Sequence, residues 1–457
     1  MTDFAQQVNQ RFEEFQARLL EFLRFRSVSA DRALHGEVAA AARWLADYLH
    51  ELLGHAEIHD GLGLPLIYAQ TEQDPDKPTV LFYGHYDVQP AHREDGWATE
   101  PFEPTMVDGR IVGRGTADDK APIILYLSAV QLLREQGALP VNLKVIFEGE
   151  EESTGEAIFK FVEGRRDHLA CDLLISTDAG GFAPGRPAIT YGTRGIVYKQ
   201  IDVTGPNQDL HSGTFGGLVP DPGAALVSVL GRLIGPDGRI DVPGLYDRVR
   251  PIASEEHEQF LSLDFGEEDL CRRLEVEGLA GEPEFLPVER LWCRPSLTIN
   301  GLVGGYTGEG PKTVLPSKAS AKLSVRIVPD QTPQEISALL DRRILDLADR
   351  RVRTTVQTLG LAEPYLGPRT GPAVAATFKA VLGAFGIEPA MVREGGTLPI
   401  MPFFARKLTE RILLLGFTRP DCGAHGPNEY FHIDDFRRGI HAVALLLEEL
   451  GRGGVLR

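Results

Sequence analysis

Apolar positions open the chain at helical spacing. Phe4, Val8, Phe12, Phe15, Leu19 and Phe22–Leu23 fall on one face of an amphipathic helix. Strand-like and helical runs then alternate. "TVLFYGH", "LKVIFEGEE" and "DLLISTDAGG" read as strands, and between them "PIILYLSAVQLLREQG" and "EAIFKFVEGR" read as helices. Such alternation predicts an α/β fold with a mainly parallel sheet flanked by helices. After about Tyr191 the texture changes. "GIVYKQIDVTG" and "SKASAKLSVRIVP" alternate as strands of an antiparallel sheet, "QEISALLDRRILDLADRR" is helical, and a loop-rich acidic stretch runs from about Gly235 to Glu289. This predicts a smaller α+β domain inserted in the first. The βα pattern resumes near Pro364 with "PAVAATFKAVLGAFG", "ERILLLGF" and "IDDFRRGIHAVALLLEEL".

The strand "TVLFYGHYDVQP" ends in an unusual way, with His85 and Asp87 at its carboxyl end. In parallel sheets, ligands collect beyond that end of the strands. Glu150–Glu152 and Asp178 also lie just past apolar runs. With Asp118 in "GRGTADDK" and His425 in "DCGAHGPNE", five positions could form a metal site: His85, Asp118, Glu152, Asp178 and His425. Two imidazoles with carboxylates suit zinc or a similar divalent ion. A carboxylate shared by two ions about 3.5–4 Å apart is a common hydrolase device. Asp87 is two residues from His85, so the two share a face if the strand continues, and a carboxylate there would aim the imidazole. Of the adjacent pair Glu151–Glu152, one acid can bind a metal while the other takes a proton from metal-bound water.

Composition narrows the class. The 457 residues are 43% hydrophobic and 25% charged, an ordinary globular balance for two or three domains. A net charge of -18 argues against nucleic-acid binding, which needs clustered Lys and Arg. The four cysteines, Cys171, Cys271, Cys293 and Cys422, form no CxxC pair, which fits a reducing cytoplasm rather than a disulfide framework or thiolate zinc site. The N-terminal "MTDFAQQVNQRFEEF" lacks the basic and apolar regions of a signal peptide, and no apolar run reaches membrane-spanning length. Rival chemistries fit badly. "GEGPKT" has Pro311 where a phosphate loop needs a backbone donor, "HEQFL" lacks the second histidine of a zincin helix, and no G-x-S-x-G elbow occurs.

In order along the chain, "GHYDVQP", "GRGTADDK", "EGEEES", "DLHSG", "REGGTLP" and "GAHGPNE" resemble the co-catalytic metallopeptidase family of carnosinases, cytosolic nonspecific dipeptidases, aminoacylases and glutamate carboxypeptidases. The resemblance runs from about residue 20 to the end. It implies that His85 and Asp178 bind one metal, that Glu152 and His425 bind the other, and that Asp118 bridges them. It makes Glu151 the general base and Asp87 the support of His85. It implies a catalytic domain over residues 1–187 and 364–457 and a lid and dimerisation domain over 188–363. His211 resembles the lid histidine that reaches a neighbouring subunit's site to steady an oxyanion. Arg326 resembles the arginine that binds the substrate's C-terminal carboxylate. Thr313, Gly396 and Thr397 resemble further substrate contacts. The family commonly has Gly after "DDK", where this chain has Ala121, and Glu150 adds a third acid to the Glu151–Glu152 pair.

"HYDVQP" resembles the dipeptidase branch more than the deacylase branches. The expectation is therefore a cytoplasmic, homodimeric dipeptidase with two divalent ions, zinc first and manganese or cobalt as alternatives, acting on short peptides. Its rivals are an N-acyl-amino-acid amidohydrolase and a non-catalytic peptide-binding homologue.

Overall fold

A computed structural model describes residues 4–137, 139–153, 155–263, 265–452 and 456. The chain divides into two compact units: Met1–Tyr191 with Gly367–Val392 and Phe403–Arg457, and Gly192–Leu366 with Arg393–Pro402.

Seven strands of the large nine-stranded sheet carry the first unit's architecture: β1 (His55–His59), β2 (Leu66–Gln70), β3 (Thr79–His85), β4 (Asn142–Glu148), β5 (Leu173–Ser176), β6 (Ala188–Thr193) and β7 (Ile412–Gly416). They lie side by side in the order β1-β2-β4-β3-β5-β7-β6. The pairs β4–β3, β3–β5 and β5–β7 are parallel, while β1–β2, β2–β4 and β7–β6 are antiparallel. The centre is thus parallel, as the alternation predicts, and its edges are closed by antiparallel strands. The central strands are buried on both faces, which explains why β3, β4 and β7 read as unbroken apolar runs rather than alternating ones. The amphipathic helix Phe4–Phe22 buries Phe4, Val8, Phe12, Phe15, Leu19 and Phe22, the stripe that its spacing marks. The helix Lys120–Glu135 is buried over most of its length. Among the described residues no helix is long and apolar enough to cross a membrane.

The second unit carries a four-stranded antiparallel sheet, ordered Ser296–Gly304, Lys318–Ile327, Gly195–Thr204 and Arg353–Ala362. Residues of Gly195–Thr204 alternate strictly between buried and half-buried, so one face makes a core. There Val197, Ile201, Leu323 and Val325 pack with Leu226 and Leu340 of the helices Pro222–Leu230 and Pro333–Leu347. The acidic stretch forms short helices, most of whose acids are exposed, while Glu256, Glu282 and Glu289 are buried and paired. Glu256 takes hydrogen bonds from Arg393, Glu282 takes both arms of Arg294 at 2.8 Å each, and Glu289 meets His257 at 2.6 Å. Segment Arg393–Pro402, which the sequence reading leaves with the first part of the chain, groups with this unit because Arg194 and Arg326 bond to it.

Candidate metal centre

Three parallel strands deliver the first set of groups. His85 ends β3 and pairs in register with Glu148 at the end of β4, so the Glu150–Glu152 turn begins beside it. Asp178 follows β5 by two residues. Asp118 comes from the loop before helix Lys120–Glu135, and the peptide to Asp119 is cis. His425 sits in the loop after β7 with φ +61°, a left-handed conformation that non-glycine residues seldom adopt.

These five groups converge. Asp118 Oδ1 lies 2.8 Å from His85 Nε2, and Asp118 Oδ2 lies 2.9 Å from His425 Nε2. Glu152 Oε1 is 3.3 Å from the same His425 nitrogen. His85, Asp118 and Asp178 can each offer an atom within 4.8 Å of the others, and so can Asp118, Glu152 and His425. Asp118 is common to both sets.

The charges do not balance by themselves. Burial and the negative charge of Asp118 push the Asp178 carboxyl well above the usual carboxylate range. Burial raises Glu151 to about 7, opposed by the His85 cation and reinforced by Glu152. Burial also disfavours the Asp118 carboxylate, but hydrogen bonds from His425 and His85 outweigh it and hold that group far below the usual range. The same contact, first with Asp118 and then with Glu152, lifts His425 to about 10. Burial opposes the His85 cation, yet its bonds to Asp118 and Asp87 raise it well above the usual histidine value. Protons are thus retained on buried acids and imidazoles at neutral pH. Divalent cations would displace them, and a nitrogen–oxygen donor set of this kind suits such ions.

The run of three acids divides by direction. Glu150 turns away: Oε1 accepts the Ala157 N–H at 2.7 Å and Oε2 the Leu64 N–H at 2.9 Å, tying the start of helix Glu156–Gly164 to the Gly63–Leu64 loop. Glu152 faces His425 and takes a 2.7 Å bond from Gln89. Among the described residues the Glu151 carboxylate accepts no hydrogen bond, so it keeps its lone pairs for a reactant. Asp87 sets the backbone of both, its oxygens accepting the N–H of Glu151 at 3.2 Å and of Glu152 at 3.0 Å. His85 Nδ1 lies 3.1 Å from the Asp87 carbonyl and 3.5 Å from its carboxylate, which leaves Nε2 for the Asp118 side.

Residues that sequence reasoning did not single out complete the support. Glu429, the last residue of "GAHGPNE", is fully buried. It accepts from Arg114 Nη1 at 2.6 Å and from the N–H groups of Gly115, Ala117 and Asp118 at 3.0, 2.6 and 3.1 Å. Asp119 accepts from Thr177 Oγ1 at 2.5 Å and from the His85 N–H at 3.2 Å. A Cβ at Gly84 would come 2.1 Å from Thr177 Oγ1, so only glycine fits beneath His85. The signal for both acids was present, since each sits inside a quoted motif. Only contacts show that they serve the backbone.

The remaining candidates belong to the second unit. His211 is exposed, with Nδ1 accepting the Gly213 N–H at 3.0 Å. Thr313 immediately precedes the strand Val314–Leu315 that pairs with Leu210–His211, and its carbonyl accepts the Ser212 N–H at 3.1 Å. Arg326 Nη1 donates to Thr397 Oγ1 at 2.6 Å, and the Gly396 carbonyl accepts the Arg194 N–H at 3.0 Å.

The profile of peptidase family M20/M25/M40 matches residues 81–449. Beta-Ala-His dipeptidase of Rattus norvegicus is 35% identical over 410 residues, 88% of this chain and 83% of the relative. Cys-Gly metallodipeptidase dug1 of Schizosaccharomyces pombe is 33% identical over 462 residues, 97% of each chain. The crystal structure of human carnosine dipeptidase 1 superposes with a TM-score of 0.83 at 32% identity, covering 98% of each chain.

Proposed function

The chain belongs to peptidase family M20/M25/M40, and from that premise we propose that it is a metallodipeptidase, cleaving the peptide bond of dipeptides or short peptides with a free C-terminal carboxylate. One observation carries the reading: the two oxygens of a single carboxylate, Asp118, each face a different imidazole. Relatives named as dipeptidases over most of the chain support the substrate class.

In this reading His85 and Asp178 hold one divalent ion, Glu152 and His425 the other, and Asp118 both. Zinc is the first choice, with manganese and cobalt accepted by the same donors. Bound there, the ions supply a water that ionises near neutral pH and a field that polarises the scissile carbonyl. Glu151 takes the proton from the attacking water and returns it to the leaving amine. A carboxylate that accepts no hydrogen bond among the described residues suits both transfers. Asp87 fixes the imidazole of His85 and the backbone of Glu151 together. His211 of the partner subunit steadies the developing oxyanion. Arg326, with Thr397, holds the C-terminal carboxylate through a planar fork, and Thr313 and Gly396 line the same path.

The homodimer belongs to the proposal. Its support is the edge strand Ser296–Gly304, which exposes Ile299, Leu302 and Val303 beside unpaired backbone groups. A cytoplasmic location is proposed on four free cysteines in a chain without a disulfide. The test is a substrate panel on the metal-loaded protein. Dipeptides are expected to turn over in preference to N-acetyl and N-succinyl amino acids; turnover confined to the acylated set would replace this reading with an amidohydrolase.

A further inference from the structure

Arg194 is a second arginine beside Arg326, and nothing in the reaction outlined above uses it. It follows "YGT" at the start of the second unit and is 7% exposed. Its backbone N–H donates to the Gly396 carbonyl at 3.0 Å, and its Nε donates to the Gly395 carbonyl at 2.9 Å. Nη1 donates to Ser296 Oγ at 2.9 Å. Ser296 is the register partner of Arg326 across the sheet. One residue therefore ties the Gly395–Thr397 turn to the strand that neighbours Arg326, and Thr397 of that turn accepts from Arg326.

A guanidinium buried this far, holding one carbonyl and one hydroxyl while the backbone N–H of the same residue holds the next carbonyl, is an expensive way to shape a loop unless its charge also matters. Among the described residues no hydrogen bond uses Nη2, and Arg194 lines a cavity of about 790 Å³ with Leu291 and Ser296. Burial first, and then the like charge of Arg326, lower its pKa to about 10, so the two cations sense each other. Glu394 acts on both, but its Oε1 also accepts the Gly396 N–H at 3.2 Å. The turn thus carries an excess of positive field where a carboxylate would neutralise it.

We propose that Arg194 is a positioning residue for carboxylate recognition, holding the Gly395–Thr397 turn so that Thr397 and Arg326 address the same ligand carboxylate. The inference rests on the reading of Arg326 as the C-terminal carboxylate site. It predicts that affinity for the free C-terminus, rather than the chemical step, depends on Arg194.

The experiment compares a dipeptide with its C-terminal amide on the metal-loaded protein carrying Glu151→Gln, which retains substrate uncleaved, so that dissociation constants are read by calorimetry. Arg194→Gln in that background is expected to weaken the free-carboxylate dipeptide about tenfold, as misplacing one charge-assisted contact of Arg326 or Thr397 through the loosened turn does, and to leave the amide within about twofold. Arg194→Lys, which keeps the charge but not the fork, is expected to fall between. In the otherwise native protein, Arg194→Gln raises KM for the dipeptide and leaves kcat nearly unchanged. Equal weakening of both ligands, or none, overturns the proposal. Should Arg194→Gln fail to fold, Ser296→Ala removes the acceptor of Nη1, and the same selective loss, smaller in size, is required. Absence of dipeptide turnover by the native protein would sink the dipeptidase reading alone, because the binding comparison needs no turnover.

Discussion

Glu429 accepts the backbone N–H of Asp118 at 3.1 Å, although 311 residues of sequence separate them. Through the same carboxylate it holds Ala117, Gly115 and Arg114, and it lies four residues after His425. The loop that carries the shared ligand and the loop that carries one imidazole are therefore fixed by one buried acid. Glu429→Gln places an amide NH2 among N–H donors that need an acceptor. The expected result is metal affinity lower by about 10–100-fold, as for other groups that orient ligands, measured by competition with a chelator. Unchanged affinity would confine Glu429 to a stability role.

Glu151→Gln should lower kcat by roughly 10²–10⁴, the span of general acid–base assistance, while elemental analysis finds metal content unchanged. The separation follows from direction: Glu152 faces His425, and Glu151 does not bond to it. Activity near the native level in this variant would remove Glu151 from the reaction.

Much of this arrangement was legible in the sequence. The parallel centre followed from βα alternation, and His85, Glu152 and Asp178 from apolar runs that stop at or just before a histidine or an acid, whereas Asp118 and His425 follow no such run and stood only in "GRGTADDK" and "DCGAHGPNE". The acidic stretch was not legible, because Glu256, Glu282 and Glu289 are matched by Arg393, Arg294 and His257, which are remote or unmarked in sequence. The third acid of the run was ambiguous for a similar reason. Glu150 is assigned by the N–H groups of Leu64 and Ala157, and no spacing rule reports such bonds. Arg194 lay in no motif at all, since what it holds is a turn two hundred residues later.

Two glycines should respond oppositely to alanine. At Gly84 the added methyl meets Thr177 Oγ1 and Asp119 Oδ2 beneath a ligand, at 2.1 and 2.5 Å. Gly84→Ala is expected to cost about 1–3 kcal/mol of stability, the usual range for overpacking, and to weaken metal binding. At Gly36, inside helix His35–Leu53, nothing lies within 4 Å of the new Cβ. Because Gly36 is the second residue of that helix rather than in its middle, Gly36→Ala is expected to add at most about 0.5 kcal/mol through helix propensity. Denaturant titration of both variants checks the pair, and a neutral Gly84→Ala would contradict the close packing under His85.

Metal-free protein should lose stability as pH rises from about 5 to 8. Unfolded Asp and Glu have shed their protons near pH 4 and unfolded His near 6.5. In the folded chain, Glu151 keeps its proton to about 7 and His425 to about 10, and Asp178 is also raised. The folded state therefore binds more protons across this window, and raising the pH favours unfolding. Asp118 is depressed, so its contribution is lost only toward strongly acid pH. Adding divalent metal displaces those protons and should flatten or reverse the slope. Calorimetric Tm against pH, with and without metal, decides it. A metal-free Tm that climbs between pH 5.5 and 8 would show that the cluster is not proton-loaded.

The central claim is that Asp118 joins two cation positions. Its most direct test is titration of chelator-stripped protein with zinc or manganese, following stoichiometry by calorimetry and dipeptide turnover on the same samples. Two ions per chain, with turnover that reaches its maximum only at the second and with both ions weakened by Asp118→Ala, is the predicted result. Saturation at one ion per chain with full activity, or two ions indifferent to Asp118, would contradict it.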